Sequence, residues 1–159
     1  MALICLNTLH MFWISCRFYS LIKIQQNMAT YNLFINTDAK PPPPDRDTID
    51  YPPTPFVQPM RIVENRTIII KGVPHQNPSR FTVYLQKSNE NEPNIIGMCF
   101  DVRFNYGKDK NVIVTNHKQG GWGKEERHSP DFPFMPNQRF ELEILVEPNW
   151  YKYKVNYQH

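Results

Sequence analysis

Between Gly97 and Asn105 every second residue is apolar: Met98, Phe100, Val102 and Phe104 alternate with Cys99, Asp101, Arg103 and Asn105. Successive side chains of a β-strand point to opposite faces, so this run belongs in a sheet buried on one side and polar on the other. The pattern returns along the chain. Phe81, Val83 and Leu85 alternate with Thr82, Tyr84 and Gln86; Phe140, Leu142, Ile144 and Val146 stand opposite Glu141, Glu143 and Glu147; Tyr151, Tyr153 and Val155 stand opposite Lys152, Lys154 and Asn156. Gly72-Val73-Pro74, Lys87 to Pro93, Tyr106 to Lys110, Gly120-Gly121 and Glu147-Pro148-Asn149 read as the turns that separate these runs. Fifteen prolines against six glycines suit short strands joined by stiff turns. The predicted fold is all-β, a jelly-roll-like β-sandwich of two antiparallel sheets.

The strand pattern is expected to start near Tyr51, which divides the chain into residues 1–50, an N-terminal extension with a Pro-rich linker, and residues 51–159, the sandwich domain. Asp38 to Pro59 carries the uninterrupted run Pro41 to Pro44 and reads as a linker of polyproline II character. The apolar stretch Met1 to Ile24 lacks a basic start, is interrupted by Asn7 and His10, and meets Arg17 before twenty apolar residues have accumulated. It is therefore a poor signal or membrane anchor, and Met28 is an alternative start. Cys5, Cys16 and Cys99 make neither a closed disulfide framework nor a zinc motif, and they read as free thiols of a reducing compartment. His75, His117, His128 and His159 are isolated, so no metal and no cofactor is expected. A net charge of +3, with basic and acidic residues interspersed, does not point to nucleic acid.

The stretch Met98 to Arg127 carries the chemistry. It puts Arg103 at mid-strand on a solvated face, Asn116 at the end of the next strand, and Trp122, Glu125 and Arg127 just after a double-glycine turn. A tryptophan beside a Gly-rich turn and among charges reads as an apolar platform left open for a ligand. A sugar suits such a platform, because the C–H face of its ring lies on the indole while its hydroxyls take directed bonds from Arg, Asn and Glu.

This stretch resembles the carbohydrate-recognition domain of the galectin family, whose signature is a His-x-Asn-Pro-Arg strand, a Val-x-Asn strand and a Trp-Gly-x-Glu-x-Arg segment. Cys99-Phe100-Asp101-Val102-Arg103, Val114-Thr115-Asn116 and Trp122-Gly123-Lys124-Glu125-Glu126-Arg127 occupy those places in that order. The resemblance implies a non-enzymatic lectin for the β-galactosides of glycoproteins or glycolipids, meeting membranes only through such glycans. It implies that Arg103 donates toward the axial hydroxyl of galactose, that Asn116 and Glu125 hold the exocyclic hydroxyl, and that Trp122 stacks on the ring. Glu125 would also orient Arg103 and Arg127, with Arg127 reaching the second sugar. A cytoplasmic location is expected, with an extracellular one reached by a non-classical route as the alternative, and a homodimer stays open.

Two positions depart from the family pattern. Cys99 stands where the family has its His and Asp101 where it has its first Asn, each still counted among the sugar-facing residues. A thiol is a poor hydrogen-bond partner, so Cys99, expected as a partly exposed thiol, weakens the contact to the axial hydroxyl. A degenerate scaffold that has lost sugar binding is the alternative these positions support. A glycoside hydrolase built on Glu141, Glu143 and Glu147 is a further rival, although a charged outer face accounts for those carboxylates. The family domain ordinarily continues for about two strands beyond Val155-Asn156. The expected consequence is a sandwich lacking those strands, with backbone groups left unpaired.

Overall fold

A computed structural model of the chain describes residues 19–25, 28–36, 56–90 and 93–157. The alternating runs become strands, and all the elements among the described residues are strands: β1 (Tyr19–Gln25), β2 (Met28–Asn36), β3 (Phe56–Arg61), β4 (Arg66–Pro74), β5 (Arg80–Gln86), β6 (Ile95–Tyr106), β7 (Asp109–Gln119), β8 (Gly121–Trp122), β9 (Glu126–His128), β10 (Phe140–Val146) and β11 (Tyr151–Tyr157). They form two antiparallel sheets. The larger runs β3-β1-β5-β6-β7-β8, with β9 also on β7, and the smaller runs β11-β10-β4-β2. The hairpin from β6 to β7 turns at Gly107, and Gly120 turns the chain from β7 into β8; both have positive φ, which glycine adopts without steric cost.

The apolar faces of the two sheets meet. Ile22, Ile24, Phe81, Val83, Leu85, Met98, Phe100, Val102 and Ile113 from the larger sheet pack with Ile68, Ile70, Phe140, Leu142, Ile144, Tyr153 and Val155 from the smaller. Aromatic rings span the gap: Phe81 stacks on Phe140 with centroids 5.3 Å apart, and Phe100 meets Tyr153 edge-on at 4.7 Å. Phe134, from the loop before β10, wedges between Phe81 at 5.3 Å and Phe140 at 5.0 Å. Each fully buried ring contributes about 1.5–3 kcal/mol by leaving water, and each such ring pair adds about 0.5–1.5 kcal/mol. This packing fixes which face of β6 looks inward and leaves Cys99, Asp101 and Arg103 on the other.

Several expectations are corrected. Residues 19–36, assigned to the extension, lie in both sheets: β1 is inserted between β3 and β5, and β2 pairs with β4. Ile22 and Ile24 have no exposed surface. The tail of the expected linker is likewise a strand, because Phe56 to Pro59 open β3, where Pro59 sits opposite Leu21. An edge strand accepts proline because one of its sides needs no donor. Residues 1–18 and 37–55, which hold the apolar start, Cys5, Cys16 and the proline run, lie outside the described residues. Gly72-Val73-Pro74 is no turn. It closes β4, with Gly72 paired to Phe140 on one side and Tyr31 on the other. Nor is an inner strand left bare among the described residues, since β5 lies between β1 and β6 and β4 between β2 and β10.

One group on the inward face has its titration shifted by the fold. His128 pairs with Ile113 in β9 and faces the Tyr153 ring at 6.4 Å between centroids. Burial disfavours the imidazolium and lowers its pKa below the ordinary 6.5, although Glu126 pulls the other way. The unfolded chain then binds the proton more readily than the folded one. Stability is complete above 6.5 and declines as pH falls from there toward the depressed value. Urea unfolding of the wild type between about pH 7.5 and 5.5 should show this loss, and His128→Gln should flatten it in that window. A wild-type profile with the same slope as the variant would contradict this account.

Candidate functional site

The outward face of the larger sheet is built in cross-strand rows. Tyr84, Cys99 and Asn116 lie opposite one another on β5, β6 and β7. The next row holds Thr82, Asp101, Val114 and, on β9, Arg127. The third holds Arg80, Arg103 and Val112. Neighbours in a row are close enough for their side chains to interact. Trp122 on β8 pairs with Lys118, two residues along β7 from Asn116, and so joins the same face.

Asp101 is the buried centre, only 3% exposed. Its Oδ1 accepts from the Thr82 hydroxyl at 2.8 Å and its Oδ2 from Nε of Arg103 at 2.7 Å, while Nε of Arg80 lies 3.5 Å from Oδ1. Arg103 spends its remaining nitrogens on two more carboxylates: Nη1 donates to Asp109 at 2.5 Å and Nη2 to Glu125 at 3.5 Å. Arg127 donates to the other oxygens of the same two acids, to Glu125 at 2.7 Å and to Asp109. Burial works against the Arg103 charge, but the hydrogen bonds to Asp109 and Asp101 outweigh it and raise its pKa. Asp109 is held below the usual carboxylate range by Arg127 first and Arg103 second. Three guanidinium groups thus face three carboxylates, and the cluster is balanced in charge.

A second set of contacts fixes the turn that carries the tryptophan. Nδ2 of Asn116 donates to the Gly123 carbonyl at 3.1 Å, its Oδ1 accepts from the His117 amide at 2.8 Å, and the Gly123 amide donates to the His117 carbonyl at 3.0 Å. Trp122 stays 53% exposed, the most open of the large apolar side chains described, with Nζ of Lys118 5.9 Å from its ring centre.

All seven residues singled out in the sequence lie on this face or at its rim. The placement of Cys99 needs correction: it is only 8% exposed, floored between Tyr84 and Asn116, not a partly exposed thiol. Burial, then the nearby Asp101 charge, pushes its pKa up to about 12. Asp101 is committed to Thr82 and the two arginines and presents little surface outward. Asp109, Arg80 and Thr82 were missed. Asp109 was hidden inside a stretch read only as a turn, and Arg80 and Thr82 become neighbours of Arg103 and Asp101 only once the β5–β6 register is known.

The model of the galactoside-binding lectin family matches residues 53–159, which include every residue of this face from Arg80 to Arg127. The chain belongs to the galactoside-binding lectin family. Galactose-binding lectin l-1 of Anguilla japonica is 34% identical over 94 residues, covering 54% of this chain and 63% of the eel lectin. Galectin-3 of Mus musculus is 34% identical over 99 residues, covering 62% of this chain and 35% of that protein. The structure of lactose- and MES-liganded congerin II is similar with a TM-score of 0.50 and 31% identity, over 56% of this chain and 64% of that one. This galactoside-binding lectin family member therefore spans less than two thirds of these relatives' own lengths.

Two outcomes test this geometry. In the folded protein Cys99 should resist maleimide at neutral pH and label only on unfolding, as followed by peptide mass mapping; rapid labelling of the native state would contradict its burial. Asp101→Ala leaves Arg103 and Thr82 without their buried acceptor and should cost about 1–3 kcal/mol in denaturant unfolding. An unchanged midpoint would show that Asp101 holds nothing in place.

Proposed function

We propose that the chain is a non-enzymatic lectin that binds β-galactosides of glycoproteins or glycolipids on the outward face of its larger sheet. The observation that carries this reading is Trp122: an indole more than half exposed, on the same face as a pre-paired cluster of Arg103, Glu125 and Arg127. The indole offers a flat apolar surface to the C–H face of a galactose ring. The guanidinium groups and carboxylates beside it supply fixed donors and acceptors to hydroxyls, at little ordering cost because they already hold one another. In this reading Arg103 and Glu125 contact the galactose, Asn116 acts at the exocyclic hydroxyl while holding the turn, and Arg127 reaches the next sugar. A balanced cluster suits a neutral sugar.

The names of the relatives support the same ligand class, since one is called a galactose-binding lectin and congerin II is lactose-liganded. Cys99 and Asp101 form the floor beneath the ligand, where a buried thiol offers little to an axial hydroxyl, so affinity for lactose is weak in this reading. Hydrolysis is disfavoured by the state of the carboxylates that would perform it. Glu141 pairs with Lys71 at 3.0 Å and Glu143 with Lys154 at 2.9 Å on the smaller sheet, as a charged outer face does.

Titration calorimetry with lactose tests the proposal. Trp122→Ala should lower affinity by at least about tenfold, the loss expected from one aromatic hot spot. Because the ring is exposed, unfolding stability should stay within about 0.5 kcal/mol of wild type. Lactose affinity unchanged in that variant would sink the assignment.

A further inference from the structure

The imidazole of His117 lies against the turn that carries Trp122, on the opposite side of β7 from Asn116. A methyl group added at Gly123 would sit 2.6 Å from Cε1 and 3.0 Å from both Nδ1 and Nε2 of His117. Three atoms of one ring at nearly equal distance place the ring face-on beneath the glycine. Real Cβ atoms essentially never come that close, so a side chain at residue 123 would have to displace the His117 ring or lift the turn; the constraint is one of space, not of φ. Nδ1 of His117 is buried and has no hydrogen-bond partner, so that atom does not tie the ring in place. Around it the turn is pinned by the Asn116 side chain on the Gly123 carbonyl and by the His117 carbonyl on the Gly123 amide.

We propose that His117 is a positioning residue for the sugar platform: its ring is the wedge on which Gly123 rests, and it sets the tilt at which Trp122 meets a galactoside. The inference rests on the lectin reading for its consequence, but the wedge is a property of the fold. A stacked sugar makes many small contacts across the indole, and each fades steeply as the gap widens. A platform that rocks loses them together. His117 touches no ligand in this account; it acts through Gly123, and the opposing pull of Asn116 keeps the turn seated on it.

The test is a pair of variants with a repair. In protein labelled with 5-fluorotryptophan, the Trp122 fluorine resonance, assigned by its loss in Trp122→Phe, reports the platform, while calorimetry with lactose reports its use. Gly123→Ala should shift or broaden that resonance and lower lactose affinity by at least about tenfold, the size of one lost aromatic contact. Adding His117→Ala removes the obstacle, and the double variant should regain the resonance position and affinity of the His117→Ala single variant. His117→Ala alone should broaden the Trp122 resonance and weaken lactose binding while leaving the fluorine resonance of Trp150 in place. A Gly123→Ala protein indistinguishable from wild type, a double variant no better than Gly123→Ala, or a Trp122 resonance unmoved by His117→Ala would each overturn the proposal. If Gly123→Ala does not fold but the double variant does, the clash is established. If neither folds, the His117→Ala resonance decides. Wild-type protein that binds no lactose would remove the lectin reading alone, since the fluorine measurements still judge the wedge.

Discussion

The contact between Phe81, Phe134 and Phe140 at the centre of the sandwich is the interaction on which everything outside depends. Once those rings seat one sheet on the other, the pleat of β5 and β6 has no remaining freedom: a shift of one residue would expose Phe81 and Phe100 and bury Asp101 and Arg103 among apolar groups. The cost of that error is several buried rings plus two unpaired charges, far above the net stability of a domain of this size. The site is therefore positioned by the core beneath it. For Cys99, Asp101 and Arg103 no loop has to find the geometry, because they are the reverse side of Met98, Phe100 and Val102.

On that fixed grid, electrostatics completes the arrangement. Asp101 is buried by its place in the row and would be expensive without partners, which Arg103 and Thr82 supply. Arg103 is in turn held at three points, and Arg127 is drawn in by the same two acids. The outer pairs are exposed and contribute little to folding on their own. Their value lies in order: long side chains that would otherwise sample many rotamers are confined to one arrangement on the face that also carries the indole.

The faces of β5, β6, β10 and β11 were readable from local alternation, because a strand with one wet side writes its orientation into adjacent residues. Arg103, Asn116, Trp122, Glu125 and Arg127 were readable through a spaced motif. β1 was not, although Ile22 and Ile24 alternate with Lys23, because that short pattern merges into the apolar run that begins at Leu3. β3 was obscured by Pro59, whose cost vanishes at an edge, and the sequence does not say which strand is an edge. Asp109 and Arg80 were out of reach for a related reason: their partners are set by register across strands, which the order of residues within one strand does not encode. The closeness of the His117 ring to Gly123 is likewise set between two backbone segments, visible only where they meet.

The insertion of β1 between β3 and β5 also bears on how the chain folds. Ile22 pairs with Leu85 on one side and Gln58 on the other, so the first strand cannot finish pairing until much of the later chain is present. Pairings of such sequence separation close large loops and form slowly, and until they form β5 presents an open edge to other molecules. During synthesis at about 5–20 residues per second, the interval between the emergence of β1 and that of β5 lasts seconds. For that time the residues that will join β3 to β5 are themselves an unpaired strand, and the order in which the strands find each other decides between a closed sandwich and self-association.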